Sequence, residues 1–150
     1  MAPKQPDRKN QPEDVPQFFR LNVEVGDLPP AIEFYTKLLG VAGRKLPGSR
    51  CYFDCGPVTL QVLDVSSSHQ PHPAAKALYF TVKDLEAVFE RARVLGCLSR
   101  EQVHDTQGGG IVVRPWGERS FYVEDPWKNP LCFVEEGTVY TGESRGTGTS

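Results

Sequence analysis

Two stretches of the chain carry the same alternation of apolar and polar positions in the same order. From Phe19 to Val25, Leu21, Val23 and Val25 fall on one face and Arg20, Asn22 and Glu24 on the other. That period of two predicts a strand with one buried and one polar face. A helical stripe follows, made of Ile32, Phe34, Tyr35, Leu38 and Leu39. Asp27 is its expected N-cap, Pro29 and Pro30 fall in its first turn, and Gly40 closes it. The second copy repeats the scheme. Leu78, Phe80 and Val82 oppose Ala77, Tyr79 and Thr81, and Asp84 is the expected cap of a helix with Leu85, Val88, Phe89, Ala92 and Leu95 as its stripe, ending at Gly96.

Shorter strand-like runs follow each helix. After the first they cover 41–45, 49–55 and 58–65, with a turn at Cys55-Gly56-Pro57. In the last of them Val58, Leu60 and Val62 alternate against Thr59, Gln61 and Leu63. After the second helix come a weakly patterned strand over 97–104, a loop over 105–110, and strands over 111–114, 120–124 and 131–135. The last two strands are joined by a turn from Asp125 to Pro130. Residues 66–75, rich in Ser, Pro and His, read as a linker. The order β-α-β-β-β, twice, predicts an α+β fold. Two tandem βαβββ modules, 17–65 and 76–140, would form a curved mixed sheet cup with helices on the outer face. Residues 1–16 and 141–150 read as flexible tails.

Composition narrows the function classes. The 150 residues suit one compact domain or two small modules sharing a core, and 39% hydrophobic with 24% charged content is ordinary for a globular protein. No apolar run approaches the ~18 residues of a membrane span. The N-terminus lacks the apolar core of a secretory signal, which suggests a cytoplasmic protein with no membrane partner. A net charge of −2 with dispersed Lys and Arg offers no nucleic-acid footprint. The four cysteines form no CxxC pair and have no His at zinc-finger spacing, so they read as small buried hydrophobes in a reducing compartment. Gly108-Gly109-Gly110 is followed by no GK[ST], so it reads as a mobile loop or lid and not as a phosphate cradle.

Two segments carry a family resemblance. One is Val25-Gly26-Asp27-Leu28 through Phe34-Tyr35 to Leu38-Leu39-Gly40. The other is Arg114-Pro115-Trp116-Gly117-Glu118-Arg119-Ser120-Phe121 through Glu124-Asp125-Pro126 and Asn129-Pro130 to Glu135. Over residues 17–140 the chain resembles the vicinal oxygen chelate superfamily of glyoxalases, extradiol dioxygenases and bleomycin-resistance-type binding proteins. The resemblance implies a homodimer. In metal-dependent members it also implies His and Glu ligands from the first and last strands of both modules. Here those positions fall on Arg20, near Gln61, on Ala77 and on Cys132, none of which completes a catalytic metal site. His69 and His72 lie in the linker and His104 at a strand end, outside that constellation.

The expectation is therefore no metal and no cofactor, and a concave surface lined by Arg20, Asn22, Glu24, Thr59, Gln61, Tyr79, Thr81 and Cys132, suited to a small organic molecule. Trp116 and Trp127 are candidates to stack on an aromatic ligand or to pack their own turns. Arg20 would meet either a ligand carboxylate or phosphate, or an internal partner such as Glu24. Tyr79 would be a ligand donor or a member of an internal network, Arg119 a brace for the Trp116 loop against an acidic neighbour, and Cys132 a buried thiol. The ligand-binding set is Arg20, Asn22, Glu24, Gln61, Tyr79, Trp116 and Cys132. The function expected is metal-free binding of an aromatic or polar organic compound. The alternatives are a glyoxalase- or dioxygenase-like lyase, isomerase or oxygenase with an atypical site, using Glu24, Tyr79 and Cys132 as acid/base groups, and a structural or regulatory module whose cup is filled by its own side chains.

Overall fold

The computed structural model describes residues 14–101 and 108–142. Residues 102–107, which hold His104 and the first half of the expected 105–110 loop, and the tails over 1–13 and 143–150 lie outside the described residues. The chain divides into two compact units, Met1–Thr36 with Gly40–His72, and Lys37–Leu39 with Pro73–Ser150.

The first unit holds strand β1 (Arg20–Val25), most of helix α1 (Leu28–Leu39), and strands β2 (Arg44–Leu46), β3 (Arg50–Cys55) and β4 (Val58–Asp64). Its sheet runs β1-β4-β3-β2, with β1 parallel to β4 and the other pairs antiparallel. Alternation sorts the faces as the sequence predicts. Val23, Val25, Leu60, Val62, Cys51 and Phe53 are buried, and the Tyr35 ring of α1 lies 6.0 Å from that of Phe53. The opposite face carries Arg20, Asn22 and Glu24, then Thr59 and Gln61 beside them by register, then Arg50, Tyr52 and Asp54.

The second unit repeats the plan with β5 (Leu78–Val82), α2 (Leu85–Leu95), β6 (Val112–Val113), β7 (Arg119–Glu124) and β8 (Pro130–Glu135), in sheet order β5-β8-β7-β6. Helix α2 packs on β7 and β8. The Phe89 ring meets Phe121 edge-on at 5.2 Å, and Phe121 and Phe80 stack on Phe133 at 5.5 and 5.3 Å. The fold is α+β, two tandem modules with mixed four-stranded sheets. No described helix is long and apolar enough to cross a membrane.

Two expectations change. Among the described residues of 97–104 there is no continuous strand: Leu98 makes an isolated bridge to Val123, flanked by Ser99 N–H to Tyr122 O and Glu124 N–H to Cys97 O. Asp27 sits at the N-cap of α1, but its side chain accepts no capping hydrogen bond. The residues at the second and third helical positions, whose N–H groups an N-cap side chain would accept, are Pro29 and Pro30, which have none. Asp84, at the same place in the second copy, does accept the N–H of Ala87. Both helices end as predicted, on Gly40 and Gly96 in the left-handed region at φ 73° and 69°.

Candidate functional site

The polar face of each sheet is the candidate site, because period-two strands put their hydrogen-bonding side chains there together. In the first unit Gln61 is its buried centre. Its amide nitrogen donates to Asn22 Oδ1 at 2.8 Å, and its oxygen accepts a long 3.5 Å contact from Arg50 Nη1. Both ends of that amide are thereby committed. Arg20 pairs with Tyr52 and not with Glu24. Its Nη1 donates to the phenol oxygen at 3.3 Å, and its guanidinium stands 4.9 Å from the Phe19 ring centroid and 5.9 Å from that of Tyr52. The Arg44 guanidinium also stands 5.7 Å from the Tyr52 ring centroid while bound to Asp54 at 2.8 Å.

Glu24 has a different environment from the rest of its face. His72 N–H donates to its Oε1 at 2.8 Å, and His72 Nδ1 and His69 Nδ1 stand 3.4 and 4.0 Å from the same oxygen. The linker histidines, placed by sequence outside any constellation, are brought onto the end of β1.

In the second unit, register sets Cys132 of β8 between Tyr79 of β5 and Tyr122 of β7. The two phenol oxygens are 2.8 Å apart, with their rings edge to face at 6.2 Å. The buried Arg114 donates through Nε to Ser120 Oγ at 2.8 Å, and its guanidinium lies 5.0 Å from the Tyr122 ring centroid. Burial pushes the Cys132 thiol up to about 11, against the opposing hydrogen bonds from Tyr122 and Ser120. Burial, then the bond to Tyr79, raises Tyr122 as well. Beside Arg114 and Tyr122 a small recess is lined by Ser99, Glu101 and Gly108 to Gly110. Glycine is required at 108, since a β-carbon there would fall 2.3 Å from Glu101 O.

Three further sequence candidates lie in or beside turns. Trp116 Nε1 donates to Glu118 Oε1 at 2.8 Å. Trp127 sits in the Asp125 turn, where its backbone N–H donates to Asp125 Oδ1 at 2.8 Å. Arg119 does meet acidic neighbours, Glu135 and Glu86, and so ties β7 to β8 and to α2. Tyr52, Arg50, Arg114, Ser120 and Tyr122 were missed by sequence. Arg50 and Tyr52 were signalled by alternation against Cys51 and Phe53 in β3, and Ser120 and Tyr122 by alternation against Phe121 and Val123 in β7.

The four positions at which the resemblance implies metal ligands do not fit a catalytic cation. Arg20 is itself a cation, Ala77 has no donor atom, Gln61 is bonded at both ends, and Cys132 alone is too few ligands for an ion.

The Glyoxalase/Bleomycin resistance protein/Dioxygenase superfamily matches residues 17–133. No curated protein matches the chain. Among solved structures, the chain is similar to Oxidase ChaP-H1 at a TM-score of 0.69 and 22% identity, covering 86% of this chain and 100% of that one. It is similar to lactoylglutathione lyase from Agrobacterium tumefaciens at 0.59 and 22%, covering 83% and 96%. It is similar to a glyoxalase/bleomycin resistance protein from Albidiferax ferrireducens T118 at 0.65 and 21%, covering 79% and 98%.

Proposed function

The chain belongs to the glyoxalase/bleomycin resistance protein/dioxygenase superfamily, and from that premise we propose that it is a small-molecule binding protein that takes up an aromatic or polar organic compound on the polar faces of its sheets, with no metal at the four family positions. The observation that carries this reading is the group Tyr79, Tyr122, Cys132 and Arg114. It supplies two aromatic rings for stacking, two phenol hydroxyls for hydrogen bonds and a buried guanidinium for a ligand's electron-rich edge. The same group is poorly suited to proton transfer, which favours pKa values near the working pH. Burial moves both Cys132 and Tyr122 away from neutrality. That favours a binding role for Cys132 and Tyr122 over an acid/base one.

The test is a thermal-shift screen of aromatic acids, phenols and polar heterocycles, run with a chelator present. A ligand at a hundred times its Kd adds about 2.7 kcal/mol of stability. For a chain of this size that raises Tm by roughly 5–10 °C. Tyr122→Phe and Arg114→Lys should each remove most of the shift. A screen in which no compound moves Tm, or hits that both variants bind unchanged, would overturn the proposal.

A further inference from the structure

The end of β1 carries a second, separate arrangement. Its construction begins in the sequence immediately after β4. Asp64 Oδ1 accepts the N–H of Ser66 at 2.9 Å, and Val65 N–H bonds to Val25 O at 3.1 Å. Val65 O then accepts the N–H groups of Ser68 and His69 at 2.9 and 3.0 Å. The chain reverses at once, and this turn brings His69 over the polar face of β1. Three residues later the N–H of His72 reaches Glu24 Oε1. The imidazoles stack with centroids 4.8 Å apart and planes at 27°.

We propose that Glu24, His69 and His72 form a binding site for a divalent transition-metal ion of the zinc, nickel or copper type. Their ligand atoms all lie within 4.8 Å of one another, and this is the one such group of three among the described residues. Two imidazoles and a carboxylate select borderline metals over magnesium or calcium, which prefer oxygen alone. A tetrahedral ion about 2.0–2.1 Å from its nitrogen and oxygen ligands wants those donors roughly 3.3 Å apart. His72 Nδ1 and Glu24 Oε1 already stand at 3.4 Å. The rest of the contraction asks both rings to turn toward Glu24, at side chains that are 42% exposed in His69 and 77% exposed in His72.

A second observation points the same way. His69 Nδ1 lies 2.7 Å from Gln70 O. A carbonyl oxygen only accepts, so in the neutral ring Nδ1 carries the hydrogen, and Nε2, not the Nδ1 that stands 4.0 Å from Glu24, is the atom offered to an ion. Metal-binding histidines commonly have their other ring nitrogen held by a backbone carbonyl, which fixes the tautomer and the ring's orientation. The site lies within one unit, uses none of Arg20, Gln61, Ala77 or Cys132, and stands independently of the ligand-binding proposal.

The experiment titrates the full chain, stripped with chelator and dialysed, with Zn2+ by calorimetry and with Co2+ by absorption spectroscopy. One equivalent should bind, with no thiolate-to-metal charge-transfer band. His72→Ala, His69→Ala and Glu24→Gln should each weaken Zn2+ binding roughly tenfold or more. His72→Ala keeps the backbone N–H that meets Glu24 and should melt as the parent does, so its loss of affinity is not a loss of fold. The proposal is overturned by no binding, by equal affinity in all three variants, or by a thiolate band that moves the ion to the cysteines.

Discussion

Asp64, the last residue of β4, accepts the backbone N–H of Leu28, the first residue of α1, at 3.1 Å. A residue 36 positions away thus takes a helix donor that the local N-cap leaves open. The same carboxylate receives Ser66 through its other oxygen. The Ser66 hydroxyl, with the backbone N–H groups of Ser66 and Leu28, holds its pKa below the ordinary carboxylate value. A depressed folded-state pKa means stability that is present above the ordinary carboxylate range and lost as pH falls through the folded value. Urea unfolding should therefore weaken below about pH 4, with a shallower slope in Asp64→Asn. Asp64→Ala should cost about 1 kcal/mol at neutral pH. A variant as stable as the parent at pH 7 would show that the contact contributes nothing.

The two helix caps should behave differently although the sequence repeats them. Asp84→Ala removes a 3.1 Å bond to Ala87 N–H and should cost about 1 kcal/mol. Asp27→Ala removes no side-chain cap bond and should cost only a few tenths. Equal losses in paired urea melts would contradict the proline explanation.

The duplicated alternation made the sheets legible, because one slip of register would have exposed Val23, Val62 and Phe53. The face residues Arg20, Asn22, Gln61 and Tyr79 follow from parity, and Cys132 from the resemblance. What parity could not give was pairing across strands. Arg20 meets Tyr52, two strands away across β4, and not Glu24 on its own strand. Arg114 closes the expected strand 111–114 but lies just past β6, where it is buried with its Nε on Ser120 Oγ and its guanidinium 5.0 Å from the Tyr122 ring centroid. The histidines looked idle because a Ser- and Pro-rich linker has no predictable direction. Only the turn anchored by Asp64 and Val65 sends them back onto Glu24.

Burial raises Cys55, Cys97 and Cys132 each to about 11. Thiol-labelling reagents attack the thiolate. All three should therefore label slowly at pH 8 in the folded chain and quickly in urea. A raised pKa contributes stability that is fully present below the ordinary thiol value and is lost as pH rises through about 11. Stability should thus fall between about pH 9 and 11, and Cys132→Ser should flatten that fall. Labelling of native protein at the rate of a free thiol would refute the assignment.

The last hairpin is held by Asn129, which is fully buried. Asp125 Oδ1 accepts the N–H groups of Trp127 and Asn129 at 2.8 and 2.9 Å, and Asp125 Oδ2 accepts Asn129 Nδ2 at 2.8 Å. Asn129 Oδ1 in turn accepts Ala74 N–H at 2.8 Å, fastening the segment that leads into β5. Asn129→Ala would take Nδ2 from a buried carboxylate oxygen and Oδ1 from a half-buried N–H. The cost should be roughly 2–4 kcal/mol. Asn129→Asp would place a second carboxyl against Asp125, so its deficit should be largest at neutral pH and shrink as pH falls through the carboxylate range. Lys128 holds φ at 73°, so Lys128→Gly should relieve backbone strain and leave stability equal or slightly higher. Urea unfolding of the three variants checks the set. A loss below about 1 kcal/mol in Asn129→Ala would mean that the turn forms without its clamp.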